Sequence, residues 1–213
     1  ISSAASDVYK RQGPTLACID PVRYITNKSS GKMGYCIAEE ARDRGAKVTL
    51  ISGPTKLPIP FGINHIGVNT NREMLNAVLD NFDSQDIVVK AAAVADYKPK
   101  VYSDIKIKKS EDELSLNFVK DTDILKRLGE IKTKQILVGF AAESNDLIKN
   151  AEGKLKRKNL DYIVANNITA VDTGFASDDN KVTVLSKTGE KLDLLKMSKR
   201  QLARKLFDII DLA

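Results

Sequence analysis

The stretch Asp20-Pro-Val-Arg-Tyr-Ile-Thr-Asn-Lys-Ser-Ser-Gly-Lys-Met-Gly34 decides how this chain is read. It is a polar turn that runs into the first turn of a helix. From Met33 onward Ile37, Ala38 and Ala41 recur at helical spacing, and Gly45 supplies a stop. Ser29, Ser30 and Gly31 therefore fall where free backbone N–H groups leave the helix start. Such an end attracts anions, because unpaired donors and the helix dipole both favour negative charge. Arg23, Lys28 and Lys32 crowd the same place with positive charge. In outline this is a phosphate or carboxylate site; a capped helix with a solvated basic face is the alternative.

Two familiar motifs do not fit. Gly31-Lys32 suggests a P-loop, but Thr26 stands where that motif has its first glycine, and Met33 replaces the hydroxyl residue that holds magnesium. Tyr24 and Lys28 are four apart, like a short-chain dehydrogenase pair. They precede the helix-opening glycine, whereas that chemistry needs them well after the cofactor loop.

Composition narrows the class further. With 213 residues, 42% of them hydrophobic, the chain has the material for one soluble globular domain. No apolar run approaches the ~20 residues needed to span a bilayer, and no secretory leader pattern is visible, so no membrane association is expected. The two cysteines, Cys18 and Cys36, lack metal spacing and point to a reducing cytoplasm. The single histidine, His65, has no companion ligand nearby, which argues against a zinc site or a His-based triad. A net charge of +6 fits a polyanionic partner, either a small phosphorylated one or a nucleic acid. Only 6% of residues are aromatic, with no basic–aromatic interleaving, so single-stranded nucleic acid has little support.

Along the chain, Ile1 to Gln12 is too polar for the buried strand that should precede the first helix of an α/β domain. It is read as a non-native or disordered extension, with an edge strand as the alternative, which leaves 13–213 as a single domain. Lys47 to Ser52 is a buried strand and Asn64 to Val68 a short one. Thr70 with Glu73 forms a capping box that opens a helix facing inward through Met74, Leu75, Val78, Leu79 and Phe82. Ile87 to Ala95 reads as a central parallel strand, apolar nearly throughout. Tyr97 to Glu113 is a lysine-rich loop, Leu114 to Val119 a half-exposed strand, and Asp121 or Thr122 caps a short helix. Gln135 to Ala142 is a core strand whose Phe140 either packs inward or stacks on a base. A helix from about Ser144, a strand Tyr162 to Asn166, a hairpin of Lys181–Ser186 with Lys191–Leu195, and a helix Ser198 to Leu212 complete the chain. The expected fold is α/β: a Rossmann-like, mostly parallel sheet flanked by helices, with a C-terminal β-hairpin and helix. Ligands of such sheets gather beyond the carboxyl ends of strands, where Asp96 sits.

The ordered set of motifs resembles the phosphopantothenoylcysteine synthetase family, the synthetase half of the bacterial bifunctional coenzyme A biosynthesis protein. The resemblance rests on the opening stretch, Ala91-Ala-Ala-Val-Ala-Asp96, Lys106-Ile-Lys-Lys109, Val138-Gly-Phe-Ala-Ala-Glu143, Lys154 through Asp161, and Ala165-Asn166. It covers the chain from Gly13 onward. Leu16-Ala17-Cys18 departs from it, standing where the family has polar residues.

That resemblance implies a ligase with CTP as co-substrate and Mg2+ as cofactor. It would join 4′-phosphopantothenate to cysteine through an acyl-cytidylate. Lys106 and Asn27 would be catalytic, and Arg23, Asn27, Ala92 and Ala93 would bind the acid substrate. The nucleotide would be held by Ser29, Ser30, Gly31, Lys90, Ala91, Ala92, Asp96, Lys106, the segment Thr122, Asp123, Ile124 and Leu125, Phe140, Lys154 and Lys158. The resemblance also implies a homodimer with the hairpin region as contact, and fusion to a flavin-dependent decarboxylase half. Two rival classes remain on the residues alone. A Rossmann-type oxidoreductase predicts G-x-G-x-x-G at the helix start and an acidic residue ending the next strand; here those places hold Ser-Ser-Gly-Lys-Met-Gly34 and Ile51-Ser52-Gly53. A basic nucleic-acid-binding module predicts salt-dependent binding to DNA or RNA.

Overall fold

The computed structural model describes residues 7–12, 14–108, 114–143, 145–167 and 179–211. In chain order the elements are β1 (Asp7–Gln12), β2 (Leu16–Cys18), β3 (Tyr24–Thr26), α1 (Lys32–Asp43), β4 (Lys47–Ser52), β5 (Asn64–Gly67), α2 (Asn71–Phe82), β6 (Ile87–Lys90) and β7 (Tyr97–Pro99). They continue as β8 (Phe118–Lys120), α3 (Ile124–Ile131), β9 (Ile136–Glu143), α4 (Leu147–Arg157), β10 (Tyr162–Asn167), β11 (Asp179–Ser186), β12 (Lys191–Ser198) and α5 (Lys199–Asp211).

Eight strands form one sheet in the order β12-β11-β10-β9-β6-β1-β4-β5. Its strands bury side chains alternately on two faces. Val48, Leu50, Val89, Val138 and Val164 face a core closed by α1 and α5, while Ile51, Val88, Leu137 and Ile163 face one closed by α2, α3 and α4. Burial on both faces is why these strands read as continuous apolar runs. Arg200 of α5 pairs with Glu39, Glu40 and Asp43 of α1, which locks the two helices of one layer together.

The expectation of a Rossmann-like, mostly parallel sheet is corrected. The pairings β1–β4, β1–β6, β4–β5, β6–β9 and β9–β10 are parallel. The pairings β10–β11, β11–β12, β2–β3 and β7–β8 are antiparallel. The protein is therefore an α/β fold with mixed pairing and two separate antiparallel ladders. The reason is local: connections as short as Lys187–Glu190 or Ile19–Arg23 can join only antiparallel neighbours.

Other expectations shift with it. Asp7–Gln12, read from sequence as an extension or an edge, pairs in parallel with β4 on one side and β6 on the other. The strand expected over Ile87–Ala95 ends at Lys90, and residues 91–95 leave the sheet. The strand expected from Leu114 is only Phe118–Lys120. The cap of α3 is Asp123, whose Oδ1 accepts from the Lys126 N–H at 3.1 Å, rather than Asp121 or Thr122. Of the α2 face, Met74, Val78 and Phe82 are buried but Leu79 is exposed. The start of α4 expected near Ser144 falls on a residue outside those described; the helix begins at Leu147. Among the described residues no helix is long and apolar enough to cross a membrane.

Candidate active site

At the carboxyl edge of the sheet lies a cleft of about 340 Å³. One wall is the turn and helix start, from Asn27 to Met33. The floor is Lys90 to Val94 with Asp96, and the far wall is Leu125, Phe140, Lys154 and Lys158. The floor exists because the backbone quits the sheet after Lys90, which frees the peptide groups of Ala91 to Ala93 from strand pairing. Asn27 ties the first wall to the floor by donating its Nδ2 to the Ala93 carbonyl at 3.1 Å.

The helix start in the cleft wall opens on glycine. Gly31 adopts φ 75° at the N-cap position, a left-handed conformation in which glycine carries no Cβ penalty. Gly31 has no side chain with which to cap the helix itself. The Ser29 and Ser30 hydroxyls accept from the Gly31 and Lys32 N–H groups in long hydrogen bonds of 3.4 Å each. The capped-helix alternative is thus met in part, by two long bonds whose hydroxyl acceptors a charged acceptor can replace. At the other end Gly45 and Ala46 donate to the Arg42 and Ala41 carbonyls, closing the helix at the predicted stop.

On the far wall Lys158 Nζ lies 2.8 Å from Asp123 Oδ2. Burial disfavours the Asp123 carboxylate, but the Lys158 ammonium, the Lys126 N–H and nearby Lys90 outweigh it and lower its pKa. Two contacts set this pair. A Cβ on Gly129 of α3 would stand 1.9 Å from the Lys158 carbonyl oxygen, so the approach of α3 to the end of α4 requires glycine. Asn71, at the start of α2, donates Nδ2 to the Thr122 carbonyl at 2.9 Å and fixes the segment leading into α3.

Asp20 organises the turn. Its buried carboxylate accepts from the Val22, Arg23 and Ile107 N–H groups and from the Arg23 guanidinium. Burial alone would raise its pKa; the Arg23 guanidinium and these backbone donors hold it well below the usual carboxylate range. Arg23 also donates to the Ile107 carbonyl at 2.7 Å. The segment carrying Lys106 is therefore pinned to the same turn that carries Asn27.

Of the residues singled out from sequence, Asn27, Ser29, Ser30, Gly31, Lys90, Ala91, Ala92, Ala93, Asp96, Leu125, Phe140, Lys154 and Lys158 meet at this cleft. Arg23 and Lys106 do not line it: Arg23 is spent on Asp20 and Ile107, and Lys106 is exposed. Thr122, Asp123 and Ile124 also stand outside the lining. Asp123 reaches it through Lys158, and Ile124 is buried in the core. Phe140 lines the cleft and also packs against the core.

Sequence reasoning missed the anchors Asp20 and Asn71, and it passed over Asn180 in the wall. Asn166, quoted only inside a motif, also lines the cleft, and its buried Oδ1 has no hydrogen-bond partner among the described residues. Asp96 is the one carboxylate among the described residues of the wall, and no group of three His, Cys, Asp or Glu among the described residues could hold a metal by itself. That donor set fits Mg2+ bound with help from a substrate's phosphate oxygens, since this ion takes only one or two carboxylates at such sites. His65 sits apart on β5, where burial lowers its pKa.

Residues 6–212 match the family model described as the DNA/pantothenate metabolism flavoprotein C-terminal domain, and the chain belongs to this family. It is 52% identical over 188 residues to the coenzyme A biosynthesis bifunctional protein CoaBC of Bacillus subtilis (strain 168), covering 88% of this chain and 46% of that one. It is 46% identical over 183 residues to a cysteine/cysteine sulfinic acid decarboxylase of an unknown prokaryotic organism, covering 85% of this chain and 51% of that one. Among solved structures, the C-terminal domain of a CoaBC protein superposes with a TM-score of 0.84 at 40% identity, covering 97% of this chain and 94% of that one. The chain spans about half the length of the curated relatives it matches.

Proposed function

We propose that this chain is the CTP-dependent ligase that joins 4′-phosphopantothenate to cysteine in coenzyme A biosynthesis. The observation that carries the reading is the convergence at one cleft of a helix start capped only by long serine bonds, the peptide groups of Ala91 to Ala93, and Lys90, Lys154 and Lys158. A carboxylate acylates poorly until one of its oxygens belongs to a good leaving group. Its oxygen attacks the α-phosphorus of CTP, the bond to the β-phosphate oxygen breaks, and pyrophosphate leaves. The amine of cysteine then attacks the acyl carbonyl, loses a proton, and expels CMP. Neither step asks for a protein nucleophile; both ask for positioning and charge neutralisation.

In this reading Asn27 holds the reacting carboxylate and the acyl-cytidylate, with Ala92 and Ala93 presenting backbone groups beside it. The helix start takes phosphate oxygens, and Lys154 with Lys158 binds the nucleotide against Phe140. Asp96 would hold Mg2+ with the phosphates, and the ion offsets their charge. Arg23 and Lys106 reach substrate only if the contacts pinning Ile107 rearrange, so they belong to a closed form of the site. A homodimer and a fused decarboxylase half in the full-length protein are part of the same reading. The exposed Leu192 and Leu195 on the hairpin support a contact there, checked by light scattering.

The test is pyrophosphate release from CTP with 4′-phosphopantothenate, run with and without cysteine. Release that requires the acid, with CMP and the cysteine adduct formed only when cysteine is added, is the expected result. Release independent of the acid overturns the reading.

A further inference from the structure

Asn180, the second residue of β11, stands in the wall of the cleft although nothing in the motif set points to it. It is 6% exposed. Its Oδ1 faces Lys199 Nζ, itself only 6% exposed, at 3.3 Å. An ammonium carries donors and no acceptor, so this contact fixes which end of the amide is oxygen. The NH2 group is thereby turned to the other side. There its hydrogen-bond partner is the Met33 sulfur, 3.8 Å away in the first turn of α1. A thioether is a weak acceptor. The chain has thus placed an oriented amide donor beside the weakly capped helix start and given it a partner that a phosphate oxygen would displace.

We infer that Asn180 is a further ligand of the nucleotide, donating Nδ2–H to a phosphate oxygen seated at the Gly31–Met33 helix start, with Lys199 as the positioning residue that sets its orientation. This rests on the ligase reading for the identity of the nucleotide but not for the anion itself. The physical logic is one of exchange: a weak N–H···S contact gives way to a charge-assisted bond to a phosphate oxygen. Burial of Lys199 behind the wall keeps its ammonium from competing for the ligand directly.

The experiment is isothermal titration of the full chain with CTP and, separately, with inorganic triphosphate. Asn180→Asp keeps an acceptor for Lys199 but turns a carboxylate toward the phosphates; Asn180→Ala removes the donor alone. Loss of a bond to a charged group corresponds to roughly 10–100-fold in affinity, and the Asp variant should lose more than the Ala variant for both ligands. Lys199→Met should weaken CTP binding in the wild-type background and have no further effect in the Asn180→Ala background, a non-additivity that a merely structural lysine would not produce. Thermal melts of each variant guard against misfolding, and Asn180→Ser, which retains a donor, provides a second route should the Asp variant fail to fold. Variants that bind both ligands within twofold of wild type overturn the inference. Wild-type binding of triphosphate, lost in the variants, without CTP turnover would sustain Asn180 as an anion ligand while sinking the ligase reading. A wild-type chain that binds neither ligand overturns both.

Discussion

Strands β9 and β10 carry a charged cluster at each end, and the two are built on opposite rules. At the amino end Asp161 is buried and fully occupied: it accepts from Lys132 Nζ at 2.7 Å, from Lys187 Nζ, and from the Leu137 N–H at 2.8 Å. At the carboxyl end the cleft gathers Lys28, Lys32, Lys90, Lys154 and Lys158 around Asp96, the single wall carboxylate among the described residues, with Asp123 behind Lys158. The first arrangement spends its charge on holding α3, β9, β10 and the hairpin together. The second leaves positive charge in excess where strands end and a helix begins. Unbalanced charge of one sign is a cost to the folded chain, and it makes sense where a polyanion is to be bound.

The sharpest way to break this comparison is to remove the loop charge proposed to reach the cleft when it closes and, separately, the buried charge at the amino end. Lys106→Gln should lower pyrophosphate release by about 10²–10³-fold, the cost of losing a donor to developing negative charge. Its melting temperature should not move, because an exposed side chain adds little to stability. Near-wild-type turnover would remove Lys106 from the chemistry. At the other end Asp161→Ala should do the reverse. It leaves Lys132, with only 11% of its side chain exposed, without this carboxylate and strips the Leu137 N–H of its acceptor. Breaking a buried pair in this way costs about 3–5 kcal/mol, read by urea denaturation, while the affinity of the folded fraction for CTP stays unchanged. A stable Asp161→Ala protein with weakened CTP binding would show that the two ends are not separate in function.

Most of the cleft wall was legible because the residues that bind anions are the ones sequence chemistry can name: glycine and serine at a helix start, and lysines a helical turn apart. What was not legible has a common cause. Ala91 to Ala95 look like strand because alanine and valine do not record whether a neighbour strand is present to pair with them. The ladders β2–β3 and β7–β8 have three residues per strand, too few for periodicity to declare. Their order comes from tertiary bonds such as the Ser103 N–H to the Ile19 carbonyl. Asp20 was visible only as the first letter of a motif, since its role depends on Ile107, 87 positions away. The mostly parallel sheet failed as an expectation because the hairpins, though partly seen, were not carried into the sheet as antiparallel partners.

A smaller effect probes the point where the two rules meet. Lys158 belongs to the cleft, yet it is also paired with Asp123. Lys158→Met should weaken CTP binding by about tenfold, through loss of one charge-assisted contact. It should lower stability by no more than about 1 kcal/mol, because Asp123 is partly solvated and keeps its cap bond to the Lys126 N–H. Titration calorimetry and urea melts on the same variant separate the two. A stability loss as large as that of Asp161→Ala would mean that this pair is structural like the one at the amino end.

The smallest effect is in the pH dependence, and its sign follows from the amino-end cluster. Burial disfavours the Asp161 carboxylate, but Lys132, Lys187 and the Leu137 N–H more than compensate and lower its pKa below the ordinary 3.8. A carboxyl whose folded pKa is depressed binds its proton more readily in the unfolded chain. Its contribution is therefore fully present above the ordinary value and is lost as pH falls through the lowered folded value. Between pH 7 and pH 5 the stability of wild type and Asp161→Asn should thus run parallel. Below about pH 4 wild type should fall more steeply, and the gap between them should narrow. Urea melts at stepped pH values measure this directly. A gap that stays constant down to the acid limit would mean that Asp161 is held by shape rather than by its charge.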